Sequence, residues 1–219
     1  MVLSKLQQSS RMQRLSGFDF GLKDFLVDDE GKRYSSPQFY KQGLRKAKQL
    51  SKVLSRKVEG SKRYKRARRA LAKHQITIAN KRQDHHFKLA HQLCDSHDVL
   101  CFEDLNLTGM KALWGRKVSD LGFAKFMSIL EWVAFKRSKV VLKTGRWERT
   151  AGTCSRCGHS QRLQLRDRVF HCEQCGIASG RDHNAAINIK TIGASVGYPS
   201  EHKPKVRLRT RVDGRSPRL

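Results

Sequence analysis

Three acids and four cysteines carry the chemistry that can be read from this chain. Asp19 ends an apolar stretch in "GFDFG", Glu103 closes the run Val99–Phe102 in "CFEDLNL", and Asp182 stands at the mouth of the Ala-rich segment "NAAINI". Singly, each has an ordinary structural role as a turn residue, a charged strand end or a helix cap. Together they form a pattern. Carboxylates at strand tips and at a helix start suit hard, oxygen-seeking divalent cations such as magnesium or manganese. Two such ions about 3.5–4 Å apart can activate an attacking water and stabilise the leaving oxygen in phosphodiester hydrolysis. Clustered acids repel one another, so metals are the simplest explanation for a concentrated acid site in a strongly basic chain. Asp24, Asp28, Asp29 and Asp104 compete for the role. Asp19, Glu103 and Asp182 are preferred because each borders an apolar element, whereas Asp104, next to Glu103 on a strand, would face the other way.

The cysteines form a second pattern. Cys154-x2-Cys157 and Cys172-x2-Cys175 are two knuckles separated by 14 residues, followed by Gly158 and Gly176. A tight turn with this spacing presents two sulfurs to one ion, and four thiolates complete a tetrahedral zinc with no open position. The expected module is a structural zinc ribbon, with "HSQRLQLRDRVFH" between the knuckles read as a short hairpin. Cys94 and Cys101 stand alone and read as small buried hydrophobes.

The charge balance points to the partner. The chain has 219 residues, with 46 Lys and Arg against 19 Asp and Glu, a formal net charge of +27. Such a surplus suits a polyanion, because each cation that meets a phosphate releases condensed counterions. No signal peptide, transmembrane run or lipidation signal is visible, which predicts a soluble, cytoplasmic protein with no membrane partner.

These residues need positioning elements. "RLSGFDFGLKDFLVDDEGKRY" reads as short strands around a "DDEG" turn, and Val99–Phe102 as a buried strand. From about 37 to 93 apolar residues recur at three- and four-residue steps, broken at Gly60 and Ser61, which predicts a helical hairpin with cationic outer faces. "FAKFMSILEWVAFKRS" predicts an amphipathic helix and "KVVLKTG" a further strand. The resulting boundaries are a core over 1–150 carrying the basic helical insertion, a ribbon over 151–178, a closing helix over 179–192 and a basic, weakly ordered tail over 193–219.

In this order, "GFDFG", "FEDLNLTGM", "CSRCG…CEQCG" and "GRDHNAAINI" resemble the TnpB family. These are OrfB-type proteins of bacterial insertion sequences, similar to the nuclease half of type V CRISPR effectors. The resemblance covers about residues 15–190. It implies an α/β fold: an RNase H-like (RuvC-type) mixed sheet with a helical-hairpin insertion and an inserted four-cysteine zinc ribbon. It places the catalytic trio on Asp19, Glu103 and Asp182 and the zinc ligands on Cys154, Cys157, Cys172 and Cys175. The implied activity is RNA-guided DNA cleavage, with a guide RNA and DNA as partners, in a nucleoid-associated bacterial protein. In guided systems base pairing reads sequence while the protein grips the backbone, a task that suits Lys62, Arg63, Lys65, Arg66, Arg68, Arg69 and Arg82. Two departures stand out. Before the last acid the family usually reads Asp-Arg-Asp, whereas here Gly180 takes the place of the first aspartate, and only about 15 residues precede the first strand, where relatives carry a longer N-terminal module. The expectation is a short form that needs RNA, or a second chain or copy to supply that module. The alternatives are a non-cleaving nucleic-acid-binding accessory subunit and, more remotely, a DDE-type transposase.

Overall fold

Alternation along the first strand decides which face of the sheet carries chemistry. The computed structural model describes residues 14–195 except 36, 146, 147 and 165. In β1 (Leu15–Phe20), Phe18 stacks on Phe102 at 5.1 Å and Phe20 meets Phe123 at 4.9 Å. Both therefore enter the main core. Gly17 and Asp19, which alternate with them, belong to the opposite face, because strand side chains alternate. β2 (Leu26–Asp28) and β3 (Arg33–Tyr34) follow as an antiparallel meander.

The chain then leaves the sheet for the expected helical hairpin, α1 (Phe39–Ser55) and α2 (Lys62–Ser96). Ser61 caps α2 by accepting from the Tyr64 N–H at 3.1 Å. Nothing in the sequence near α1 caps it; instead Asp120, 80 residues away, accepts from the Tyr40 and Lys41 N–H groups at 2.8 and 3.1 Å. β4 (Val99–Glu103), the helices α3 (Leu107–Leu121) and α4 (Phe123–Lys136), and β5 (Val140–Thr144) follow. The five strands form one sheet in the order β3-β2-β1-β4-β5, with β1, β4 and β5 mutually parallel. Helices α2 and α4 bury Leu89, Leu93, Phe126, Leu130 and Val133 in the core on one face.

The opposite face is closed by α5 (Arg181–Ser195), which packs more extensively on β1 than on any other element. The approach is close because Gly17 has no side chain. A Cβ there would lie 2.2 Å from the Ala186 carbonyl oxygen and 2.5 Å from the Lys190 nitrogen. Both are helix backbone and cannot swing aside. Gly17→Ala is therefore expected to cost about 2–3 kcal/mol and to lower the melting temperature by roughly 5 °C or more. A thermal melt checks this, and an unchanged midpoint would contradict the close packing.

Two expectations need correction, and α3 is an element with no counterpart in the sequence reading. The segment between the knuckles does not form a hairpin of its own. Instead β6 (Val169–His171) pairs with β7 (Ala178–Gly180) across the second knuckle, and the first knuckle is closed by a single bridge between Thr153 and Ser160. The closing helix starts at Arg181, because 178–180 are taken by β7, and it runs to Ser195. The expected tail beyond residue 195 lies outside the described residues. Among those residues no helix is long and apolar enough to cross a membrane.

Candidate active site and metal centre

Parallel register brings two of the acids to one edge of the sheet. Phe18 is opposite Phe102 in the β1–β4 pair, and Asp19 and Glu103 directly follow those residues on adjacent strands. Phe102 enters the core, and Cys101 packs with Ile189 of α5. Glu103 therefore shares the α5 face with Asp19. Asp182 joins them as the second residue of α5, where a carboxylate also interacts favourably with the helix dipole. Its Oδ2 lies 3.8 Å from where a Cβ on Gly21, two residues past Asp19, would sit.

Asp19 responds electrostatically to both of the other acids. The Asp19 carboxyl is held well above its ordinary value of 3.8, first by burial and then by the negative charges of Asp182 and Glu103. Arg181 offsets part of this and pairs with Asp182 at 3.5 Å. The Glu103 carboxyl is also raised, chiefly by burial, while a hydrogen bond from Thr150 opposes the rise. The carboxylates do not close as tightly as the cysteines do: among the described residues, only the cysteine set brings three or more such ligand atoms within 4.8 Å. Three oxygen-donor side chains on one face of the sheet are the donor type that hard cations take.

The competing acids have other partners. Asp28 accepts from the Glu30 and Lys32 N–H groups and from the Tyr34 hydroxyl, closing the turn. Asp29 takes the Lys190 ammonium at 2.5 Å and the Gly17 N–H at 3.1 Å, anchoring α5 to the sheet. Asp24 pairs with Arg33 at 2.9 Å. Asp104 lies one residue beyond the end of β4.

The four predicted cysteines converge. All their sulfurs lie within 4.8 Å of one another, with Cys154–Cys175 at 3.7 Å and Cys157–Cys172 at 3.6 Å. Zinc–sulfur bonds of about 2.3 Å in a tetrahedron put sulfurs about 3.8 Å apart, so the donor set fits zinc. Each knuckle is a tight turn: the Gly158 N–H donates to the Cys154 carbonyl at 2.9 Å and the Gly176 N–H to the Cys172 carbonyl at 3.0 Å. Both glycines have positive φ, 76° and 70°, which explains their place after each CxxC.

Several further residues tie the two sites together. Asn184 Oδ1 accepts from the Ser155 N–H at 3.0 Å, and its amide donates to the Thr153 carbonyl at 2.7 Å. Asn188, one turn on, donates to the Thr150 and Thr153 carbonyls, both at 2.7 Å. The Thr150 hydroxyl donates to Glu103 Oε2 at 3.2 Å. The available signal was two asparagines four residues apart, on one face of a helix.

The predicted cations divide. Lys62, Arg63, Lys65, Arg66, Arg68 and Arg69 are all exposed on the opening turns of α2. Arg82 is engaged elsewhere: it donates to the Ser119 and Asp120 carbonyls at 3.0 and 3.1 Å, closing the C-terminus of α3.

Residues 4–113 match the OrfB_IS605 family, described as a probable transposase, and residues 123–189 match the Cas12f1-like TNB domain. The chain is 30% identical over 198 residues to TnpB-like protein L79 of Acanthamoeba polyphaga mimivirus, covering 83% of this chain and 38% of that protein. It is 27% identical over 180 residues to a Streptomyces pristinaespiralis protein named "Putative RNA-guided DNA endonuclease", covering 81% of this chain and 44% of that protein. In fold it is similar to a chain of the cryo-EM structure of the Cas12f1–sgRNA–target DNA complex, with a TM-score of 0.59 at 18% identity, over 81% of this chain and 49% of that one. The chain thus spans less than half the length of these relatives.

Proposed function

The chain belongs to the OrfB_IS605 family of probable transposases, and from that premise we propose that it is the nuclease portion of an RNA-guided DNA endonuclease of the TnpB type. The observation that carries the reading is the meeting of Asp19, Glu103 and Asp182 on the α5 face of the sheet, with Asp19 responding to both partners. The strand order β3-β2-β1-β4-β5, three antiparallel strands then two parallel additions, supports an RNase H-like (RuvC-type) core. The names of the Streptomyces relative and of the Cas12f1 complex support a guide RNA and target DNA as partners. That activity would place the protein at the nucleoid.

In this reading the three carboxylates would hold a pair of magnesium or manganese ions, which supply water activation and leaving-oxygen stabilisation in phosphodiester hydrolysis. The protein's own part is positional. β1 and β4 fix two carboxylates on adjacent strands, and α5 brings the third. Arg181 keeps a positive charge beside Asp182, and the cysteine ribbon would hold a structural zinc against the start of α5.

The deciding experiment purifies the protein with its bound nucleic acid, sequences that nucleic acid, and challenges the complex with matching duplex DNA in magnesium or manganese. A defined co-purifying RNA and cleavage of only the matching DNA are expected. Stable RNA binding without cleavage under any divalent ion would instead assign the chain to the non-cleaving accessory reading.

The exposed cations of α2 give a separate expectation. Replacing Lys62, Arg63, Lys65 and Arg66 with Gln should weaken nucleic-acid binding about equally for all sequences. It should also flatten the dependence of log K on log salt by about 0.7–0.9 for each phosphate contact removed. Binding titrations at several salt concentrations read this directly.

A further inference from the structure

We propose that Thr150 is a positioning residue through which the cysteine ribbon holds Glu103 in place, so that order in the ribbon sets the readiness of the acid site. The inference deepens the nuclease reading and rests on it.

The connection runs through bonded atoms. Ser155, beside the first ribbon ligand Cys154, donates its N–H to Asn184 on α5. The Asn184 amide holds the Thr153 carbonyl, and Asn188 grips the Thr153 and Thr150 carbonyls with one amide nitrogen. Thr150, 4% exposed and thus barely reached by water, points its hydroxyl proton at Glu103 Oε2. Every bond in this path links segments far apart in the chain except those within the 150–155 stretch.

Glu103 needs such a holder. A glutamate has three side-chain torsions, and fixing them costs up to about 2 kcal/mol of rotamer freedom. Glu103 ends its strand, so no following strand residue packs over it. Its register partner on β5, Thr144, does not serve: that hydroxyl is buried and makes no hydrogen bond. Thr150 can, because its branched side chain has few rotamers and its backbone is pinned by Asn188. A partner that orients a metal-binding carboxylate typically changes metal affinity by about 10–100-fold.

The test measures manganese binding by the full chain, by calorimetry or electron paramagnetic resonance, together with zinc content and a thermal melt. Thr150→Val removes the hydroxyl and keeps the shape; Thr150→Ser keeps the hydroxyl. Thr150→Val is expected to retain its zinc and to bind manganese about 10-fold more weakly, with Thr150→Ser returning to within roughly 3-fold of the parent. Removing zinc from the parent should weaken manganese binding to a similar degree, and removing it from Thr150→Val should add little, because the connection is already cut. The zinc-removal arm on the parent needs no variant, so a poorly folding Thr150→Val does not stall the test. Two results would overturn the proposal: manganese affinity in Thr150→Val equal to the parent's, or parent affinity indifferent to zinc. If Asp19→Asn leaves manganese binding unchanged, the acid-site reading itself fails, and that outcome is distinct from both.

Discussion

Asp19→Asn is expected to abolish divalent-ion-dependent cleavage while making the metal-free protein more stable. The loss should be at least about 10³-fold in rate, with nucleic-acid affinity nearly unchanged because the α2 cations are untouched. The gain in stability follows from the raised carboxyl. Burial and the charges of Asp182 and Glu103 make ionised Asp19 unfavourable in the folded chain. A carboxyl whose folded value lies above the ordinary 3.8 opposes folding at any pH above that value, and the penalty vanishes as pH falls below it. Removing the charge should therefore stabilise the metal-free protein near neutral pH by about 0.5–2 kcal/mol, with the advantage shrinking toward pH 4. Excess magnesium should narrow it too, since the cation stabilises the parent and has less to hold in the variant. Paired melts across pH, with and without magnesium, read the sign. A destabilised Asp19→Asn in metal-free buffer would mean that Asp19 is a structural residue rather than part of a strained acid cluster.

The second large effect is expected at the ribbon. The parent should carry about one zinc per chain. Cys172→Ser should lose that zinc and, with it, protection of the ribbon's backbone amides. Apparent zinc-binding free energies in small closed sites are about 10–16 kcal/mol, and among the described residues the ribbon's own core buries only Cys154, Phe170 and Cys172. It cannot stay folded on that core alone. Hydrogen exchange should show 150–180 opening while β1, β4, α2 and α4 remain protected, since their core is separate. The start of α5 should loosen, because Asn184 and Asn188 lose their partners. Uniform opening of the whole chain would contradict this division.

How much of this was legible in the sequence varies with the reach of each signal. β1, β4 and α4 could be read because apolar spacing is local, and both acid-tipped strands stood out for the same reason. The cysteine spacing was equally local. α3 escaped because it buries only Val118, Asp120 and Leu121 and is kinked at Trp114, so no apolar stripe of useful length exists. β7 escaped because "ASG" has no strand preference and is a strand only by pairing with β6. Sequence reading could name Asp24, Asp28 and Asp29 as rivals but could not see that Arg33, Tyr34 and Lys190 occupy them. Thr150 offered no signal, and Asn184 and Asn188 only their four-residue spacing, because ordinary polar residues gain their meaning from partners that the fold supplies.

The packing of α5 over β1 also sets an order of events during synthesis. The two elements that make the most intimate contact in the molecule lie near opposite ends of the described chain. Strands β1 and β4 and the helices of the core face can assemble as they leave the ribosome, but the face bearing Asp19 and Glu103 stays uncovered until α5 emerges. Under the nuclease reading, a nascent chain would lack its third carboxylate, Asp182, until α5 emerges, and completion of the helix would be the arming step.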